Sequence, residues 1–301
     1  MGPLLYNIYL YDIDKCLHSS KFLLYADDKK IFTKIASLDD CLSLQNDLNR
    51  LTNYYNINKI SVNINKCQKI TFSRNKKNII NFEYSICNEK IPSTNTVRDL
   101  GVILDEKLTY NDHIDYVTNK AFANLGFVLR TAEPFDDIRC LKVLYFAYVR
   151  SILEFACVIW RPIYKCYINR LEKIQKIFFK KLNFKSKHFP VSYEQACLHY
   201  NINALSDRRD LIDVMFLFDI LNNKFDCISI LNPLNFRVPS QGTRQKNLFL
   251  VPSTSTNYLK NSPYFRLPEV YNNKFCSADI FCLSRPRFKS AILQIINNLN
   301  K

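Results

Sequence analysis

Near residue 110 the hydrophobic pattern of this chain changes from strand-like alternation to helical spacing, so no single repeating architecture accommodates it. Before that point Ile60, Val62 and Ile64 alternate, and Lys69–Ser73, Tyr84–Ile86 and Val97–Leu104 also read as strands, with Gly101 where a backbone can approach a ligand closely. Two helices join them. Pro3 takes a first helical position ahead of Leu4, Leu5, Ile8 and Tyr11 or Asp12, and Ser37 with Asp40 forms a capping-box pattern. The second helix places Leu38, Cys41, Leu42, Leu48, Leu51 and Tyr55 on one face, to pack on the sheet.

After residue 110, Ile114, Val117, Ala121, Leu125 and Leu129, then Leu141, Leu144, Tyr145, Tyr148 and Ile152, recur at helical spacing. Further helices are expected at Tyr164–Leu182, around Tyr193–Ala196, over Leu205–Leu221 and over Phe288–Leu299. The prediction is an α+β fold, with an antiparallel sheet and packed helices over residues 1–110. A helical region follows over 111–189, then a helical tail over 190–301 with a loop-rich segment near 232–268, which includes Pro239–Gly242.

The stretch Phe22–Phe32 sets two adjacent carboxylates between apolar runs and reads as a hairpin. Phe22–Tyr25 and Lys30–Ile35 are the expected strands, with Asp27 and Asp28 exposed at the tip, where hard oxygen ligands can collect Mg²⁺. Taken alone, an Asp-Asp pair reads as an ordinary polar turn, and the stretches on either side overturn that reading.

Composition excludes several classes. A hydrophobic content of 48% is globular, and four glycines leave no phosphate-cradling Gly-rich loop of the P-loop or dinucleotide kind. Eleven cysteines without a Cys-x-x-Cys pair show no zinc knuckle and read as reduced intracellular thiols. The most apolar segment, Leu141–Trp160, contains Lys142, Arg150 and Glu154, so no membrane helix is expected. A leader without basic residues and interrupted by Asp12 and Asp14 argues against secretion.

The net charge of +15 is concentrated, since residues 161–189 hold nine Lys or Arg against one acid, Glu172. Such a stripe is the footprint of a polyanion partner or, equally, a solvated helix face. On the Tyr164–Leu182 helix Ile168, Leu171, Ile174 and Phe178 point inward, Phe178 and Phe179 being core. Most of the cations fall on the other face, and Lys165, Arg170, Lys173, Lys176, Lys180 and Lys181 are the candidate nucleic-acid contacts.

Four stretches in order, Gly2–Tyr9, Tyr25–Asp28, Asn65–Ser73 and Asp99–Asp105, resemble the non-LTR retrotransposon reverse transcriptases. The resemblance continues through His113-Ile114, Val149–Phe155 and Val158–Pro162, and more loosely through Arg266–Asn272 and Asp279–Phe281. It implies an incomplete polymerase palm followed by a mainly helical thumb and tail of an RNA-directed DNA polymerase. Such an enzyme works on an RNA template and a DNA primer by two-metal Mg²⁺ nucleotidyl transfer. In that pattern Asp27 binds metal, Asp28 supports it, and Lys66 assists the leaving pyrophosphate. Tyr25 and Ala26 flank the nucleotide and primer, and Leu100 and Gly101 grip the primer end.

The family also carries a third carboxylate, on a strand before the first of these motifs, and fingers earlier still. Met1 falls inside that motif, and Asp12 and Asp14 lie where the family has no ligand. The expectation is therefore a truncated polymerase, inactive alone. The alternative is a non-catalytic nucleic-acid-binding remnant or retained binding module. Either is expected inside the cell, and the nucleus follows only from where such a substrate lies.

Overall fold

The computed structural model describes residues 2–75, 79–225, 228–237 and 247–299 of a chain that divides into two compact units, Met1–Thr109 and Tyr110–Lys301. It is an α+β protein, mainly helical, with small antiparallel ladders.

Two-residue turns and one long helix organise the first unit. Strand β1 (Lys21–Tyr25) pairs with β2 (Asp28–Phe32), β3 (Ser85–Ile86) with β4 (Glu89–Lys90), and β5 (Thr96–Asp99) with β6 (Val102–Asp105). The connecting turns are Ala26-Asp27, Cys87-Asn88 and Leu100-Gly101. Right-handed strand twist demands positive φ in such turns. Here Ala26, Cys87, Asn88 and Leu100 supply it at 52°, 51°, 63° and 44°, and Gly101 at 90°. Gly101 is thus the second residue of a hairpin turn, and the expected strand Val97–Leu104 is two strands folded back on each other.

Helix α1 (Gly2–Tyr9) and helix α2 (Leu38–Ile57) pack on the inner face of the first hairpin. The capping box holds: Ser37 Oγ accepts from Asp40 N–H, and Asp40 Oδ2 accepts from Ser37 N–H at 2.8 Å. Leu51, Tyr54, Tyr55, Leu10 and Ile13 form the core with Phe22, Leu24 and Ile31. Leu4, Leu5 and Ile8 of α1 stay exposed, the contact there falling to Tyr6 and, just after the helix, Leu10. Leu38 and Leu42 of α2 stay exposed as well, its buried face being Cys41, Leu48, Leu51, Tyr54 and Tyr55.

The alternation at Ile60, Val62 and Ile64 does not make a strand. These side chains pack into the same core from irregular backbone and from a 3-10 turn, Ile64–Lys66. Lys69–Ser73 likewise makes only an isolated parallel bridge, Lys69 to Ser93. At Ile60–Ile64 burial of the apolar side chains needs no ladder, and at Lys69–Ser73 Phe72 stays exposed.

The second unit is a helical bundle. Its elements are α3 (Asn111–Thr131), α4 (Ile138–Tyr145), a π-helical turn (Phe146–Arg150), α5 (Ser151–Glu154), α6 (Cys157–Trp160), α7 (Lys165–Ser186), α8 (Tyr193–Tyr200) and α9 (Leu205–Leu221). Tyr145 stacks on Phe178 with ring centroids 4.1 Å apart and donates to Gln175 at 3.0 Å, fixing α4 against α7. Residues on both sides of 189 share this unit, because α9 packs on α6 and α7 as well as on later helices.

The described residues of 232–268 hold more regular structure than their Pro, Ser and Asn content implies. Strands β7 (Asn235–Phe236) and β8 (Phe249–Leu250) pair, and α11 (Asn257–Asn261) and α12 (Pro263–Val270) follow the four-residue helix α10 (Ile228–Leu231). Pro239–Gly242 lies outside the described residues. Helix α13 (Arg285–Leu299) closes the core, with Phe288, Ile292 and Ile296 against Phe218 and Val214 of α9.

Helix α9 also buries charge. Arg161 pairs with Asp210 and Asp213 at 2.5 Å, Arg266 reaches Asp213 at 2.9 Å, and Arg208 chelates Glu154 through two 2.6 Å bonds. Buried ions persist only when paired and hydrogen-bonded in this way.

Candidate nucleic-acid interface

Two regions carry the candidate residues, one in each unit. In the first, the alternation of β1 and β2 sends Phe22, Leu24 and Ile31 inward and leaves Tyr25, Ala26, Asp27 and Asp28 exposed. Tyr25 is paired with Asp28 across the turn, so β2 begins at the second carboxylate and extends to Phe32 rather than Ile35. Lys29 turns inward and lies over the Tyr55 ring at 4.5 Å. Burial lowers its pKa from the ordinary value, against the opposing charge of Asp27.

Lys30, on the opposite face of β2, meets Asp99 at 2.5 Å and thereby ties the end of β5, next to the Leu100-Gly101 turn, to the first hairpin. Lys66 is exposed at the end of its 3-10 turn, whose Ile64 shares the cluster of Phe22 and Leu24. The fold thus gathers the supports of these residues. Among the described residues, no hydrogen bond or ion pair joins Asp27 or Asp28 to Lys66, Leu100 or Gly101.

A two-ion Mg²⁺ centre needs several oxygen ligands per ion in near-octahedral geometry. Among the described residues no three His, Cys, Asp or Glu side chains converge as a metal-binding group, and Asp12 is engaged by the Tyr54 hydroxyl at 2.8 Å. Asp27 and Asp28 alone do not fit such a centre.

The second region is α7, where the cations divide into two rows. Lys165, Lys173, Lys176 and Lys180 are exposed on the outward face. Arg170, Lys181 and Lys185 lie on the flank and are occupied: Arg170 pairs with Asp115, Lys181 with Glu133 at 3.7 Å, and Lys185 donates to the Glu133 and Phe135 carbonyls at 2.7 and 2.6 Å. Arg161, counted by sequence with the stripe, faces α9. Lys176 leans over the Tyr193 ring at 5.0 Å.

Ile174, Phe178 and Phe179 are core, and Ile168 is partly buried. Among the rings that sequence reasoning missed is Phe184, which is 73% exposed. Its spacing four residues after Lys180 is the signal that would have found it.

No protein-family model matches the chain. Uncharacterized protein B0403.1 of Caenorhabditis elegans is 27% identical over 183 residues, which make up 58% of this chain and 91% of that protein. No solved structure matches this chain. Among the described residues no helix is long and apolar enough to cross a membrane.

Proposed function

We propose that this chain corresponds to the later palm, thumb and tail of a non-LTR retrotransposon reverse transcriptase. In this reading residues 1–301 by themselves bind nucleic acid without extending a primer. The observation that carries it is Tyr25-Ala26-Asp27-Asp28, two exposed carboxylates on a two-residue hairpin turn whose strands are fixed to the core. Asp27 and Asp28 are the Mg²⁺ ligands of the intact enzyme in this reading, and Lys66 and the Leu100-Gly101 turn serve pyrophosphate and primer.

The test is a fusion. Joined behind the fingers and first palm strand of an intact relative, these residues are expected to complete template-directed incorporation, and Asp27→Ala to abolish it. A fusion that incorporates equally well with Asp27→Ala contradicts the assignment.

A second reading, a retained nucleic-acid-binding module without polymerase chemistry, is favoured by the exposed lysine row of α7. Both readings give RNA or DNA as the partner, and they part only on the outcome of the fusion.

A further inference from the structure

The outward face of α7 does not end in charge. Following Lys173, Lys176 and Lys180 at helical spacing comes Phe184, 73% exposed, and after the helix comes Phe189, 69% exposed. From Lys173 to Phe184 the helix runs about 16 Å at 1.5 Å per residue. The turn that presents Phe189 is anchored: Lys187 caps α7 with φ 54°, His188 N–H reaches Asn183 O at 3.3 Å, and His188 stacks on His199 of α8 at 3.9 Å. The rings are therefore held out on supported backbone.

Resting on the nucleic-acid reading above, we propose that this face binds single-stranded nucleic acid, with lysines on the phosphates and Phe184 and Phe189 stacking on unpaired bases. The charge row fits a polyanion, and uncovered rings fit bases whose π-faces are free. Within a duplex those faces are occupied by neighbouring pairs. The exposed cations of the row are lysines, point charges without the fork that reads base edges, while Arg170 is held by Asp115. Sequence preference is accordingly weak.

The experiment is fluorescence anisotropy of the full chain with a labelled oligothymidylate and with a blunt duplex of equal length. Phe184→Ala and Phe189→Ala should each lower single-strand affinity by roughly five- to a hundredfold and leave duplex affinity within about twofold. Phe184→Trp should retain binding. Both positions are exposed, so the substitutions leave the core intact, and circular dichroism verifies this.

Unchanged single-strand affinity, or equal losses on both probes, overturns the stacking proposal. If Lys173→Ala, Lys176→Ala and Lys180→Ala together still weaken both probes, the broader nucleic-acid reading survives that failure. If the lysine triple variant changes nothing, the broader reading fails as well. A dimer dissociated by the phenylalanine substitutions with oligothymidylate binding unchanged assigns the rings to self-association.

Discussion

Glu172 Oε1 accepts from Arg209 Nη2 at 3.2 Å, and this buried pairing withdraws from the surface of α7 the one carboxylate its segment contains. The same side chain accepts from Tyr193 O–H at 2.6 Å and from Leu205 and Ser206 N–H at 3.2 and 2.8 Å. Helix α9 has no side-chain cap of its own, so a residue of α7 caps it across the core.

Removing that acid leaves Arg209 charged and buried, along with orphaned backbone donors. Glu172→Ala should destabilise the protein by about 3–5 kcal/mol, read as a lower urea midpoint with unchanged slope. Replacing Glu172 and Arg209 together by methionine should recover much of the loss. A loss under about 1 kcal/mol would mean the pair is not desolvated.

Asp47 predicts an acid-side stability loss. Its side chain is fully buried and accepts from His18, Ser19 and Ser20 N–H at 3.0, 3.1 and 2.8 Å and from Arg50 at 2.5 Å, clamping the turn that enters β1. Burial opposes its ionisation, yet these bonds, that from Arg50 foremost, hold the carboxyl well below the usual range. Because the native value is depressed, its contribution is full above the unfolded pKa of about 4 and fades as pH falls below it. Asp47→Asn should cost about 2–3 kcal/mol at neutral pH, with the gap to the parent narrowing below about pH 4. Parallel stability curves through that window would exclude the clamp.

Ala26 occupies the left-handed region, φ 52°, at the hairpin tip. A Cβ there costs about 1–2 kcal/mol, offset in part by the entropy glycine would lose. Ala26→Gly should therefore raise stability by up to about 1 kcal/mol, seen as a higher thermal midpoint. A lower midpoint would show that the side chain makes contacts outweighing its strain.

Local signals were the readable ones. The Ser37–Asp40 box, the apolar flanks of Asp27 and Asp28, and the helical spacing through α3, α7, α9 and α13 depend on residues near one another in sequence. At Ile60–Ile64 alternation reports burial only, whereas a strand also needs a distant partner. Gly101 reads from sequence as a strand residue, yet Leu100-Gly101 is a turn. With four glycines in the chain, most left-handed positions among the described residues fall to other residues, so glycine is a weak turn signal here. Arg161 looked like part of the basic stripe. Only the distant Asp210 and Asp213 turn it inward, and the same long-range pairing divides the remaining cations of α7 into an exposed row and an occupied flank.

That exposed row is the centre of the account, and the salt dependence of oligonucleotide affinity tests it most directly. For the parent chain, log affinity should fall linearly with log salt. Changing Lys173, Lys176 and Lys180 to alanine should weaken binding uniformly across sequences and reduce the slope by about 2 for a single strand, near 0.7 per lost phosphate contact. Identical affinity and slope in the parent and the triple variant would contradict it, leaving α7 a solvated helix face.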